Sequence, residues 1–204
     1  VNWNTGFTSE GRPIWNMEKV PTYEYEAKNI CPASEGGKWW NPMTVNPETG
    51  WVFVPSREIC VDIKSAPLGE GLNPDEITEG KPYWGIGTIG WNTGYGQLVA
   101  FDGKTGEKMW VVKDRSPFTS GLLSTRGGLL FAGTPEGEFR AYHQETGEEL
   151  WSFQTGSGIF GSPSTYTIDG KQFIAVPSGY GGWTGWAHFG QGGAPWLKDS
   201  RKGG

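Results

Sequence analysis

Two stretches of this sequence combine aromatic side chains with a permissive backbone, and they are where chemistry is first sought. The first is Gly36-Gly37-Lys38-Trp39-Trp40-Asn41-Pro42. Adjacent tryptophans cannot both point into one core along an alternating strand, so one must face elsewhere, such as a channel or a ligand. The second is Gly179-Tyr180-Gly181-Gly182-Trp183-Thr184-Gly185-Trp186. Stacked aromatics suit a planar ring ligand, although packing between structural elements would use the same residues. Gly85-Ile86-Gly87-Thr88-Ile89-Gly90 matches G-x-G-x-x-G. The Gly- and Thr-containing run after it does not open a helix, so no dinucleotide fingerprint is read there. His143 and His188 are the only histidines and lie 45 positions apart. Neither zinc-site spacing, nor an acidic calcium loop, nor a G-x-S-x-G nucleophile elbow is present. Cys31 and Cys60 are the only cysteines. They permit one disulfide or two buried thiols, and a bridge would imply an oxidising compartment.

The elements that must hold these residues are repeats. Residues 99–110 read VAFDGKTGEKMW and residues 140–151 read RAYHQETGEELW, an offset of 41. A period of about 40–45 residues built from short strands is that of a propeller blade. Leu98-Val99-Ala100-Phe101 alternates as a strand with one buried face. Asp102 to Gly106 is a tight turn in which Gly106 takes positive φ. Trp110 and Trp151 then return on the next strand, placed to pack between blades and to hydrogen-bond a neighbour's backbone. Further strands are expected around 129–133 and 137–142, with a hairpin across Asp169-Gly170. A weaker early unit runs from Met43 through Asn46-Pro47-Glu48-Thr49-Gly50 to Pro55. Residues 62–82 read as a long excursion between strands.

Composition agrees. Gly fills 34 of 204 positions, there are 12 Trp, and aromatics reach 14%. That excludes helical bundles, collagen and disorder, and leaves an all-β chain rich in turns. The net charge of −5 argues against a general nucleic-acid or anionic-membrane binder. No apolar run approaches the ~18 residues of a membrane span. The opening Val1-Asn2-Trp3-Asn4 reads as a processed or artificial start. Dividing the length by the repeat gives about five units, or roughly four blades or part-blades once the excursion is set aside, and closed propellers have about 4–8. The expectation is a single partial β-propeller over 1–204 with no independent second domain.

These residues resemble the C-terminal part of the quinoprotein alcohol dehydrogenases, which use pyrroloquinoline quinone (PQQ) and include methanol and ethanol dehydrogenases. The resemblance covers essentially the whole chain. It is carried by Asn4-Thr5-Gly6 with Gly11-Arg12-Pro13-Ile14, and by the cysteine segments Asn29-Ile30-Cys31-Pro32 and Glu58-Ile59-Cys60-Val61-Asp62. The tandem A-x-D-x-x-T-G-x-x-x-W repeats, similar to the family's tryptophan docking motifs, and the stretch from Ala175 to Trp183 complete it.

The resemblance implies an eight-bladed propeller with PQQ on its axis and Ca²⁺ or a lanthanide ion beside it. It implies a periplasmic enzyme that oxidises a small alcohol to the aldehyde or ketone and passes electrons to a cytochrome c. It implies a Cys31–Cys60 disulfide, cofactor contacts from Trp39, Trp40, Asn41, Gly182 and Trp183, and docking roles for Trp110 and Trp151. Trp39 departs from an Asn-Trp pair usual in the family, and Thr119 stands where methanol dehydrogenases place a Trp beside the cofactor. The catalytic base and metal ligands are expected in the rest of the propeller, outside this chain. A non-catalytic propeller scaffold and a degenerate quinoprotein are the alternatives.

Overall fold

A computed structural model describes residues 1–65 and 86–180. These residues form two compact units. Among them the only helical piece is a single 3-10 turn, Met17–Lys19. Four groups of antiparallel strands bear out the partial propeller expected from the repeats.

Of the described residues, the larger unit holds 37–58 and 94–180. Its strands are organised by one recurring turn. Strand β4 (Thr44–Val45) reaches β5 (Trp51–Ser65) through Asn46 to Gly50. Strand β6 (Ile86–Asp102) reaches β7 (Lys108–Asp114) through Gly103 to Glu107. Strand β10 (Glu138–His143) reaches β11 (Glu149–Gln154) through Gln144 to Glu148. In each turn the glycine N–H closes on the carbonyl four residues back: Gly50 on Asn46, Gly106 on Asp102 and Gly147 on His143, at 2.8–2.9 Å. The first side chain accepts from the next amides along the chain. Asp102 Oδ1 takes Lys104 and Thr105, and Asn46 Oδ1 takes Glu48 and Thr49. Gly106 and Gly147 adopt φ of 74° and 73°, a left-handed conformation that glycine adopts cheaply. The register also repeats. Ala100 pairs with Trp110 and Ala141 with Trp151, each beside a bulge.

Strands β8 (Leu123–Ser124), β9 (Leu129–Gly133), β10 and β11 make a four-stranded sheet in the order β11-β10-β9-β8. The inner strands β9 and β10 are buried on both faces, which explains the nearly continuous apolar run of β9, while β11 is exposed. One face gives Leu130, Ala132 and Tyr142 to a core with Phe53, Leu98, Ala100, Phe118 and Leu122. The other gives Phe131, Phe139 and Ala141 to a second core with Ile159, against which Ile174 and Val176 pack. Alternation with period two sorts the side chains between the faces. The hairpin of β12 (Ser164–Ile168) and β13 (Lys171–Ala175) turns on Asp169 and Gly170, both at positive φ.

Trp110 shows the docking contact in full. Its Nε1 donates to the Gln144 carbonyl at 2.8 Å, and a Cβ on Gly147 would come within 2.8 Å of its ring. Gln144 is buried, and every polar group it has is used. Its side chain accepts from Asn46 Nδ2 and donates to the Thr125 and Leu129 carbonyls, while its amide donates to Gly128.

Of the described residues, the smaller unit holds 1–36, 59–65 and 86–93. Strands β1 (Asn4–Phe7) and β2 (Pro13–Trp15) form a hairpin. Strand β3 (Ala27–Ile30) pairs with the far end of β5, Ala27 with Ile63 and Ile30 with Val61. Asp62–Ser65 therefore belong to a strand and not to the excursion expected from residue 62; the remainder of that stretch, 66–82, lies outside the described residues. Cys31 and Cys60 are joined in a disulfide. Asn2 brackets it, its N–H donating to the Cys31 carbonyl and its Oδ1 accepting from the Cys31 N–H. Asp62 lies two residues beyond Cys60. The Asn29 amide, with help from Asn92 and Lys28, holds its carboxyl below the usual aspartate range.

Candidate functional site

The Trp39-Trp40 segment is a short loop pinned at both ends within the larger unit. At its start the Gly37 carbonyl accepts from the Arg57 backbone N–H at 2.7 Å. At its end the buried Asn41 side chain donates through Nδ2 to the Thr119 carbonyl. One residue on, the Pro42 carbonyl accepts from Leu122 N–H at 3.1 Å. The receiving segment is itself fixed. Thr119 is buried and donates through Oγ1 to the Ile159 carbonyl at 2.9 Å. Gly121 leaves no room for a side chain, because a Cβ there would strike Ser162 and Pro42.

Between these pins the two indoles stand edge to face, with centroids 6.0 Å apart and planes at 68°. Trp40 is 54% exposed, while Trp39 is half-buried. The segment thus places one indole against the protein and leaves the other open, as two adjacent tryptophans require.

Sequence reasoning missed the third member of this group. Arg57 lies on the inward face of β5, in a row with Phe53, Pro55, Ile59 and Val61, and is 1% exposed. Its guanidinium carbon sits 4.8 Å from the Trp39 ring centroid, within cation–π range. The signal was available: counting by twos from Phe53 puts Arg57 on the buried face.

Arg140 pairs with Asp114 and Glu138, and Arg115 pairs with Glu136, which also accepts from Ser116 Oγ. Burial pushes the Tyr142 hydroxyl above its ordinary value, so it stays protonated beside Arg140. Among the described residues no group of three or more His, Cys, Asp and Glu could hold a metal ion. No helix there is long and apolar enough to cross a membrane. The structure therefore brings Trp39, Trp40 and Asn41 together on one pinned loop. Gly182 and Trp183 lie outside the described residues. Trp110 is docked, whereas Trp151 is 49% exposed and stacks on Phe153 with planes 5° apart.

Residues 112–174 match the β-propeller domain of the PQQ family described as glucose/ethanol/alcohol dehydrogenase. Along 97% of its length the chain is 40% identical to the quinoprotein alcohol dehydrogenase PedH of Pseudomonas putida, covering 35% of that protein. It is 37% identical to the lanthanide-dependent methanol dehydrogenase of Methylacidiphilum fumariolicum, over 91% of this chain and 30% of that one. Among solved structures, a europium-containing methanol dehydrogenase superposes with a TM-score of 0.77 and 34% identity, covering 92% of this chain and 33% of its own. The chain spans about a third of the length of the curated relatives it matches. The resemblance read from the sequence is borne out: proteins named as quinoprotein alcohol and methanol dehydrogenases are similar to this chain over nearly all of it.

Proposed function

We propose that this chain forms part of the propeller of a PQQ-dependent alcohol dehydrogenase, and that the pinned Trp39-Trp40 loop is its contribution to the cofactor seat. The observation that carries the reading is an open indole held edge to face against a second one on a loop pinned at both ends. PQQ is planar and aromatic, so an open indole face fits it. When bound, PQQ supplies the redox chemistry by which an alcohol becomes the aldehyde or ketone.

The chain's own residues do the seating. Trp40 offers the ring face and excludes water from it. Asn41 holds the loop to Thr119. Gly182 and Trp183 belong to the rim of the same site in this reading. The residues that take the alcohol proton and hold Ca²⁺ or a lanthanide are supplied from outside this chain. Periplasmic location and a cytochrome c acceptor complete the reading; the disulfide supports an oxidising compartment, and the named relatives support the alcohol substrate class.

The test is reconstitution of the intact protein with PQQ and either Ca²⁺ or a lanthanide, and then dye reduction with primary and secondary alcohols. Alcohol-dependent reduction is expected. Absence of reduction with every alcohol, despite bound PQQ, would overturn the reading in favour of a propeller without dehydrogenase activity.

A further inference from the structure

We propose that Thr119 is a positioning residue that couples two parts of the cofactor seat: the Trp39-Trp40 loop and the segment that leads into Gly182 and Trp183. The inference rests on the cofactor reading above and deepens it, because it names the residue through which each part sets the position of the other.

The first support is that Thr119 is bonded on two sides by two different groups. Its backbone carbonyl accepts from Asn41 Nδ2, the pin at the end of the Trp39-Trp40 loop. Its side-chain hydroxyl donates to the Ile159 carbonyl at 2.9 Å. These partners lie 78 residues before it and 40 after it. Thr119 is 3% exposed and Ile159 0%. A buried carbonyl that loses its donor is costly, so both bonds hold the segment in one place.

The second support is that the line of contacts continues beyond Ile159. Ile159 pairs with Gly179 in a parallel bridge, and the Gly179 N–H donates to the Gly158 carbonyl at 2.8 Å. The Tyr180 hydroxyl then donates to the Pro135 carbonyl at 3.2 Å. The fit leaves no slack. A Cβ on Gly158 would come within 2.5 Å of the Tyr180 ring, and one on Gly161 within 2.3 Å of Pro177. Ile159 is itself packed so closely on Gly133 that a Cβ there would lie 2.5 Å from it. Interiors packed this densely pass a displacement on instead of absorbing it. Asn41, Thr119, Ile159 and Gly179 therefore link the Trp39-Trp40 loop to a point three residues before Gly182 in the chain.

The experiment is a cycle of PQQ affinities, read by tryptophan quenching and ring absorbance, not by turnover. The intact protein, freed of cofactor, is titrated as the parent, as Trp40→Ala, as Trp183→Ala and as the double variant. Each single variant is expected to weaken binding about tenfold. If each part positions the other, losing both costs less than the product, and about twentyfold is expected in place of about a hundredfold. Thr119→Val keeps the side chain's shape without the hydroxyl. In that background the two losses should multiply, and Thr119→Val alone should weaken PQQ about threefold. Thr119→Ser keeps the hydroxyl and should restore the parent's cycle.

Where Thr119→Val does not fold, Thr119→Ala removes the hydroxyl with less bulk and is read in the same way. Losses that multiply in the parent overturn the coupling, and an unchanged cycle without the hydroxyl overturns the role of Thr119. A Thr119→Ser protein that behaves like Thr119→Val overturns it too. Failure of the parent to bind PQQ overturns the cofactor reading itself.

Discussion

Trp110 and Trp151 end the same eleven-residue motif 41 positions apart, yet they meet different surroundings. Both pair across the strand with an alanine, beside the same bulge. Trp110 donates to the Gln144 carbonyl and covers Gly147. Trp151 is half-exposed, and among the described residues no carbonyl accepts its indole N–H. Trp110 is received by the β10–β11 turn, which carries Thr146-Gly147 and follows the β8–β9 and β9–β10 hairpins. After Trp151 comes the β12–β13 hairpin, whose two-residue turn is Asp169-Gly170. The motif supplies only the tryptophan; the receptor is the turn of the next repeat.

The comparison can be broken most strongly at the tryptophans. In residues 1–204, Trp110→Ala is expected to cost about 3–4 kcal/mol, and Trp151→Ala only about 0.5 kcal/mol, as read by urea denaturation. Equal losses would mean that a turn beyond the described residues receives Trp151.

The glycines sharpen the same point. Gly147→Ala combines a left-handed backbone with a Cβ driven into Trp110, and about 2–3 kcal/mol is expected. Gly106 has the same φ, but nothing lies within 4 Å of its would-be Cβ, so Gly106→Ala should cost about 1 kcal/mol. The excess at Gly147 should shrink in a Trp110→Ala background.

The smallest effect concerns the turns themselves. The Thr105 and Lys104 amides hold the Asp102 carboxyl below its usual range. Ionised Asp102 therefore stabilises its turn above the ordinary aspartate value of about 3.9. That contribution is lost as pH falls through the lowered value. The Lys104 and Thr105 amide shifts should titrate together below that value, and Asp102→Asn should abolish the titration while keeping the turn.

Much of this was legible in the sequence because the information is local. The turn needs a side-chain acceptor at its first residue, a threonine three on and a glycine four on, and all three can be read along the chain. The Asp169-Gly170 hairpin and the two-sided apolar run of β9 and β10 are local in the same sense. The Trp39-Trp40 loop was legible as an anomaly, since two adjacent tryptophans demand two environments. What holds that loop was not. Asn41 reaches a carbonyl 78 residues away, and no spacing rule connects them. Arg57 was hidden for another reason: a lone arginine in a strand reads as a surface charge unless its face is counted. The disulfide was left open by spacing and became an expectation only through family resemblance.

Gln144 carries a consequence for how this protein can change over time. One buried residue serves the Trp110 indole, the Asn46 side chain and three backbone groups of its own sheet. Three of these bonds run through the side-chain amide, which accepts at one end and donates at the other, so an apolar replacement loses all three and a carboxylate loses both donations. Neighbouring turn positions can drift independently of one another. Position 144 can drift only if several other places move in the same generation, and it should therefore be the slowest clock in the repeat.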